Sequence, residues 1–148
     1  RLPRRGPPDA GWLEGLPEHQ VSTDVWYYTN LNETYRNTRV NLDMNRVVIR
    51  DGFTQRVFDC PASGSFLMTS AKPIVDEFFE KDGPAQDIVV FADQTDLHDK
   101  IDYYLRHPPE RRAIAERACK KIRAHHTYDH RMDTVFSLLP RCGSRPGG

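Results

Sequence analysis

Apolar residues along this chain come in short runs separated by helical patterns, and the pattern is clearest from Val40 onward. Val40, Leu42 and Met44 alternate with Asn41 and Asp43, the period-two signature of a strand with two unlike faces. Ser65-Phe66-Leu67-Met68-Thr69 and Asp87-Ile88-Val89-Val90-Phe91 are continuous runs bounded by Gly or Asp. Such runs predict strands covered on both faces, as in a parallel sheet. A further strand is predicted within 21–28.

Helical patterns fill the gaps. A short helix is predicted over 32–39, and a second over 53–60 that Pro61 should end. A third starts at Pro73 and turns Ile74, Val75, Phe78 and Phe79 to one side. Leu97, Ile101, Tyr104 and Leu105 recur at i, i+4, i+7 and i+8, which predicts a core-facing helix. Pro108-Pro109 interrupts it. A helix resumes over 110–125 with Ile114, Ala118 and Ile122 on one stripe, and Thr127 caps a last helix carrying Met132, Val135, Phe136 and Leu139. Strands alternating with helices give the fold class: α/β, a Rossmann-like doubly wound parallel sheet with a helical C-terminal end. No internal repeat or heptad run is present.

At 148 residues and 38% hydrophobic content the chain can build one core. The expected division is a partly ordered segment over 1–20, one domain over 21–139 and a flexible tail over 140–148. The chain begins at Arg1 without Met, which fits an excised piece of a longer protein and equally a processed or truncated chain. A formal net charge of zero argues against a protein that gains its affinity by wrapping nucleic-acid phosphates, so no nucleic-acid partner is expected. No apolar run can cross a bilayer and no signal peptide is visible, so the expectation is a cytoplasmic protein without a transmembrane segment. Three cysteines in unrelated contexts fit a reducing compartment better than a disulfide framework.

The chemistry concentrates in Arg50-Asp51-Gly52-Phe53-Thr54-Gln55-Arg56-Val57-Phe58-Asp59-Cys60-Pro61-Ala62-Ser63-Gly64, which lies between two predicted strands. If a helix starts just after Gly52, the amides of Phe53, Thr54 and Gln55 point out of its N-terminus, where the helix dipole favours an anion. Arg50 and Arg56 add guanidinium groups that match phosphate oxygens. Asp51 and Asp59 flank the helix eight residues apart, roughly 12 Å at the α-helical rise. A carboxylate accepts two hydrogen bonds and can hold a vicinal diol. The span suits a sugar diphosphate nucleoside.

The run Asp51-Gly52-Phe53-x5-Asp59-x2-Ala62-x-Gly64 resembles the acidic-x7-acidic motif of GT-B glycosyltransferases. Residues 50–69, Val89-Val90-Phe91, Tyr103-Tyr104-Leu105, His107-Pro108, Glu110-Arg111-Arg112 and His126-Thr127-Tyr128-x-His130-Arg131 are similar to the C-terminal domain of spore-maturation (CgeB-like) glycosyltransferases of the group 1 type. The resemblance implies that 21–139 is a nucleotide-sugar-binding domain. It implies Asp51 as the catalytic residue at the transferred sugar, the backbone amides of Gly52, Phe53 and Thr54 at the phosphates, and Asp59 on the ribose; Gln55 and Arg56 join the substrate-binding set on the helix-terminus geometry. The nucleotide-sugar is a substrate, and no cofactor or metal is implied. The implied partner is a missing N-terminal GT-B domain that carries the acceptor, so the isolated chain is expected to be inactive. The usual motif has Glu where this chain has Asp51 and Asp59. That departure keeps open an alternative, a non-catalytic nucleotide- or carbohydrate-binding module. A flavodoxin-type switch with Asp51 as phosphoacceptor lacks an evident lysine partner.

Bland readings stand beside these. His125, His126 and His130 form a cluster, but Thr127 marks a helix boundary among them, so capping and packing are the simpler account than metal ligation. From Arg106 to Arg131 eight Lys or Arg face three acids, which reads as a solvated helical face or as a surface for an anionic partner. Tyr103, Tyr104 and Tyr128 read as core and interface residues, and Trp12, Trp26, Tyr27 and Tyr28 as buried aromatics or as cover for a base or an interdomain cleft.

Overall fold

The computed structural model describes residues 30–44 and 52–139. The strand expected within 21–28, the segment over 1–20, the tail over 140–148, Arg50 and Asp51 lie outside the described residues. The elements in chain order are α1 (Leu31–Asn37), β1 (Asn41–Asp43), α2 (Arg56–Ala62), β2 (Leu67–Ser70), α3 (Val75–Phe78), β3 (Val89–Phe91), α4 (Gln94–Arg106), α5 (Pro108–His125) and α6 (Tyr128–Leu138). The strands form a parallel sheet in the order β1-β2-β3, with Asn41 opposite Leu67 and Met68 opposite Val89. A parallel neighbour is out of reach of a hairpin, so α2 and α3 carry the chain back between strands. This is the expected Rossmann-like α/β arrangement, helical at its C-terminal end.

Both faces of the sheet are covered. One face sets Leu67 and Ile88 against Tyr35, Val57, Cys60, Val75, Phe79 and Ile122. The other sets Phe66, Met68, Val89 and Phe91 against Tyr104, Ile114 and Ala115. The continuous apolar runs of β2 and β3 follow from that double burial. In β1 the alternation is inverted: Asn41 and Asp43 are buried, while Leu42 is half-buried. Asn41 accepts burial because its side-chain amide donates to the carbonyls of Tyr35 (3.2 Å) and Phe66 (3.1 Å).

The helix expected over 53–60 lies at Arg56–Ala62, and Pro61 is inside it rather than after it. Its start is delayed because the residues before it are tied elsewhere, Phe53 to an aromatic cluster and Thr54 to Asp43. Pro61 removes one helical N–H donor, and the helix ends one residue beyond it at Ala62. The end is closed by the amides of Gly64 and Ser65, which donate to the carbonyls of Pro61 and Cys60. Gly64 has φ +83°, the left-handed conformation that such a helix terminus requires. Cys60 faces inward, and burial pushes its thiol up to about 12.

α3 is a single turn after Pro73 rather than a full helix, with Val75 and Phe79 buried. In α4 Tyr104 is buried, but Leu105 and Tyr103 are 40% and 44% exposed, so the core-facing stripe is narrower than its spacing implied. Tyr128 is exposed as well, so of these three tyrosines Tyr104 alone is a core residue. α5 begins at Pro108, two residues early, because proline fits a first helical turn. Thr127 caps α6 in a reciprocal pairing with His130, as the capping reading of the histidines expected. Among the described residues no helix is long and apolar enough to cross a membrane.

Candidate functional site

In a parallel α/β sheet the strand carboxyl ends open onto one edge, and loops leaving that edge form the usual ligand crevice. Here the edge is made by Asp43, Ser70 and Phe91. Asp43, the last residue of β1, has a fully buried carboxylate. It accepts hydrogen bonds from the hydroxyls of Thr54 (2.5 Å) and Thr69 (3.4 Å). The Arg56 guanidinium stands 4.0 Å from Asp43 and donates to the Leu42 carbonyl at 3.1 Å. Lys72, just past β2, donates to the Gly52 carbonyl at 3.1 Å. The stretch 52–56 is thus tied to the ends of both β1 and β2.

Phe53 anchors that stretch from the other side. Its ring meets Phe58, Phe78 and Phe79 edge-on at centroid distances of 5.9, 5.7 and 6.0 Å. Such pairs add about 0.5–1.5 kcal/mol each beyond area burial. Because α2 starts at Arg56, the amides of Val57, Phe58 and Asp59 already donate to the carbonyls of Thr54 and Gln55. They are not open to a ligand. Gln55 reaches across to α6, donating to the Tyr128 hydroxyl at 3.2 Å.

Asp59 is half-buried on the flank of α2. With Gln55, Phe58, Arg123, His126 and Arg131 it lines a cleft of about 470 Å³ between α2 and the α5–α6 corner. Gly52, Phe53 and Thr54 do not line that cleft. The structure therefore brings Gln55 and Asp59 together, and places residues 52–54 on the strand-end side of the same turn. Asp51 and its 12 Å spacing to Asp59 lie outside the described residues. The cleft is cationic and aromatic: the Arg131 guanidinium sits 5.3 Å from the Phe58 ring centroid, and His126 lies 5.9 Å from Phe58 and 5.5 Å from Phe78. Burial, and then the charge of Arg131, lowers the His126 pKa and favours the neutral ring.

Asp43, Thr69 and Lys72 join the candidate site, and reading the sequence missed them. The available signal was a carboxylate closing a strand immediately before the chemistry-bearing loop, which places it on the ligand edge of a parallel sheet. Among the described residues no group of three His, Cys, Asp or Glu could hold a metal ion.

A family model described as glycosyl transferase-like matches residues 4–137. No curated protein and no solved structure matches the chain. On the family match, which spans most of its length, the chain belongs to the glycosyl transferase-like family.

Proposed function

We propose that this member of the glycosyl transferase-like family is the donor-binding half of a glycosyltransferase, one that moves a sugar from a nucleotide-sugar to an acceptor. The observation that carries this reading is the pinned stretch 52–56. Thr54 is held on the buried Asp43 carboxylate, the Gly52 carbonyl on Lys72, and the Phe53 ring among three others. Lys72 and Arg56 put two cations beside that backbone. A loop fixed in this way presents its amides to a diphosphate without reorganising as charge develops on the leaving group, which is where electrostatic catalysis draws its strength.

In this reading the diphosphate lies over residues 52–56, Asp59 accepts from the ribose hydroxyls, and Asp51 faces the transferred sugar. The acceptor and its base belong to a facing N-terminal domain. General acid–base chemistry needs groups within hydrogen-bond reach, so the isolated chain binds donor and transfers nothing.

The test is an NMR titration of the 148-residue chain with UDP, GDP, ADP and dTDP. Saturable shifts are expected at Gly52, Phe53 and Thr54 for one of them, with Asp59→Asn weakening it by about tenfold, the 1.4 kcal/mol of one lost hydrogen bond to a charged group. No shift near Gly52 at millimolar ligand rejects the donor site. One feature favours a second reading, a non-catalytic nucleotide- or carbohydrate-binding module: Asp51 and Asp59 are each one methylene shorter than the usual Glu. That reading expects ligand binding but no transfer even when a facing domain is supplied.

A further inference from the structure

The amino-terminal edge of the sheet carries charge that neither the strand-end crevice nor the core uses. The chain enters β1 through Thr38 and Arg39, and enters β2 through Gly64, Ser65 and Phe66. The last turn of α1 brings Arg36 to this edge, and the start of α5 brings Arg111 and Arg112. Together they line a cleft of about 230 Å³. Among the described residues four arginines line it and no Asp or Glu does. Among the described residues none of these four arginines forms an ion pair with Asp or Glu. On a chain of zero formal net charge this is a local excess.

Structural roles account for only part of it. Arg36 donates through Nε to the Ser63 carbonyl at 3.0 Å, and a cation in the last turn of a helix is favoured by the dipole. Arg111 donates to the Tyr104 carbonyl at 2.6 Å. Each of these bonds uses one of five N–H donors and leaves the others for a further partner. Arg39 and Arg112 are exposed and make no such bond among the described residues. Arg111 and Arg112 also sit near the positive end of the 18-residue α5, where the helix dipole disfavours cations. Partial burial, then the charges of Arg39 and Arg112, lowers the Arg111 pKa. The fold tolerates a repulsion here that a bound anion would reverse.

We propose that this cleft is a second anion site, which takes the phosphate or diphosphate group of a small solute at the end of the sheet opposite the strand-end crevice. Sites for cofactor-sized ligands run from roughly 300 to 1,000 Å³. At about 230 Å³ the cleft has room for the anionic group and not for a whole nucleotide-sugar. Guanidinium forks match phosphate oxygens two at a time, which selects phosphate over a spherical anion.

The experiment is a titration of the full chain with inorganic pyrophosphate and, separately, inorganic phosphate at fixed ionic strength, read by NMR at the amides of Thr38, Gly64 and Ser65. Saturable shifts are expected, tighter for pyrophosphate and weakening as salt is raised. Arg39→Gln with Arg112→Gln should weaken pyrophosphate by about tenfold or more. The same pair replaced by Lys keeps charge, loses the fork and gives a smaller loss. The Gln pair removes repulsion, so its thermal midpoint at low salt should not fall, which separates lost binding from lost folding. Shifts that grow without saturation and equally for chloride, pyrophosphate shifts confined to residues 52–54, or full affinity in the Gln pair would each overturn the proposal.

Discussion

Asp43 is the residue on which the strand-end crevice turns. Its carboxylate has no exposed surface and holds the hydroxyls of Thr54 and Thr69, residues 11 and 26 positions away. Asp43→Ala leaves the buried Thr69 hydroxyl and the half-buried Thr54 hydroxyl unmatched, and a loss of roughly 1–3 kcal/mol is expected in urea unfolding. Thr69→Val removes a single bond and should cost about 1 kcal/mol. Period-two spacing showed that β1 has two unlike faces but not which face is inside. A polar face goes in when distant residues supply its partners, and such partners are not visible locally. His126 offers a pH test of the neighbouring cleft. Its folded pKa lies below the unfolded value, so the unfolded chain takes up the proton first as acid is added. The stability it confers is complete above about pH 6.5 and is lost as pH falls below that. Urea midpoints at pH 7.5 and 5.5 should differ more for the natural chain than for His126→Gln.

At the scale of the element, α2 owes its C-terminal boundary to its own residues and its N-terminal boundary to the rest of the molecule. Gly64 sits at φ +83° with nothing within 4 Å of an added Cβ. The cost of Gly64→Ala is therefore backbone strain alone, roughly 1–2 kcal/mol by thermal denaturation. Thr127→Ala removes the α6 cap and should cost about 1 kcal/mol, visible as loss of helical ellipticity at the C-terminal end. Glycine and threonine signals were legible because each acts within a few residues, whereas Pro61 was read as the end of α2 and lies inside it. The order of helices and strands was legible too, since both faces of β2 and β3 are apolar. The start of α2 was not. Phe53 and Thr54 could continue a helix by propensity, and aromatic rings on α3 and the end of β1 prevent it.

Across the whole molecule stability is unevenly placed. Ile114 is buried against the sheet, and Ile114→Ala should cost about 2–5 kcal/mol. Phe136 on α6 is 63% exposed, so Phe136→Ser should change the unfolding free energy by no more than about 0.5 kcal/mol. Cys60 lies on the well-packed side of that divide. A thiol held protonated at neutral pH is a poor nucleophile, since the thiolate is the species that attacks alkylating reagents. Iodoacetamide should therefore reach Cys60 only during excursions that lift α2 off the sheet, and peptide mapping separates its adduct from those of Cys119 and Cys142. The rate at which Cys60 acquires label is then a clock for the opening of the loop-bearing helix, wound by the fold and needing no engineered residue.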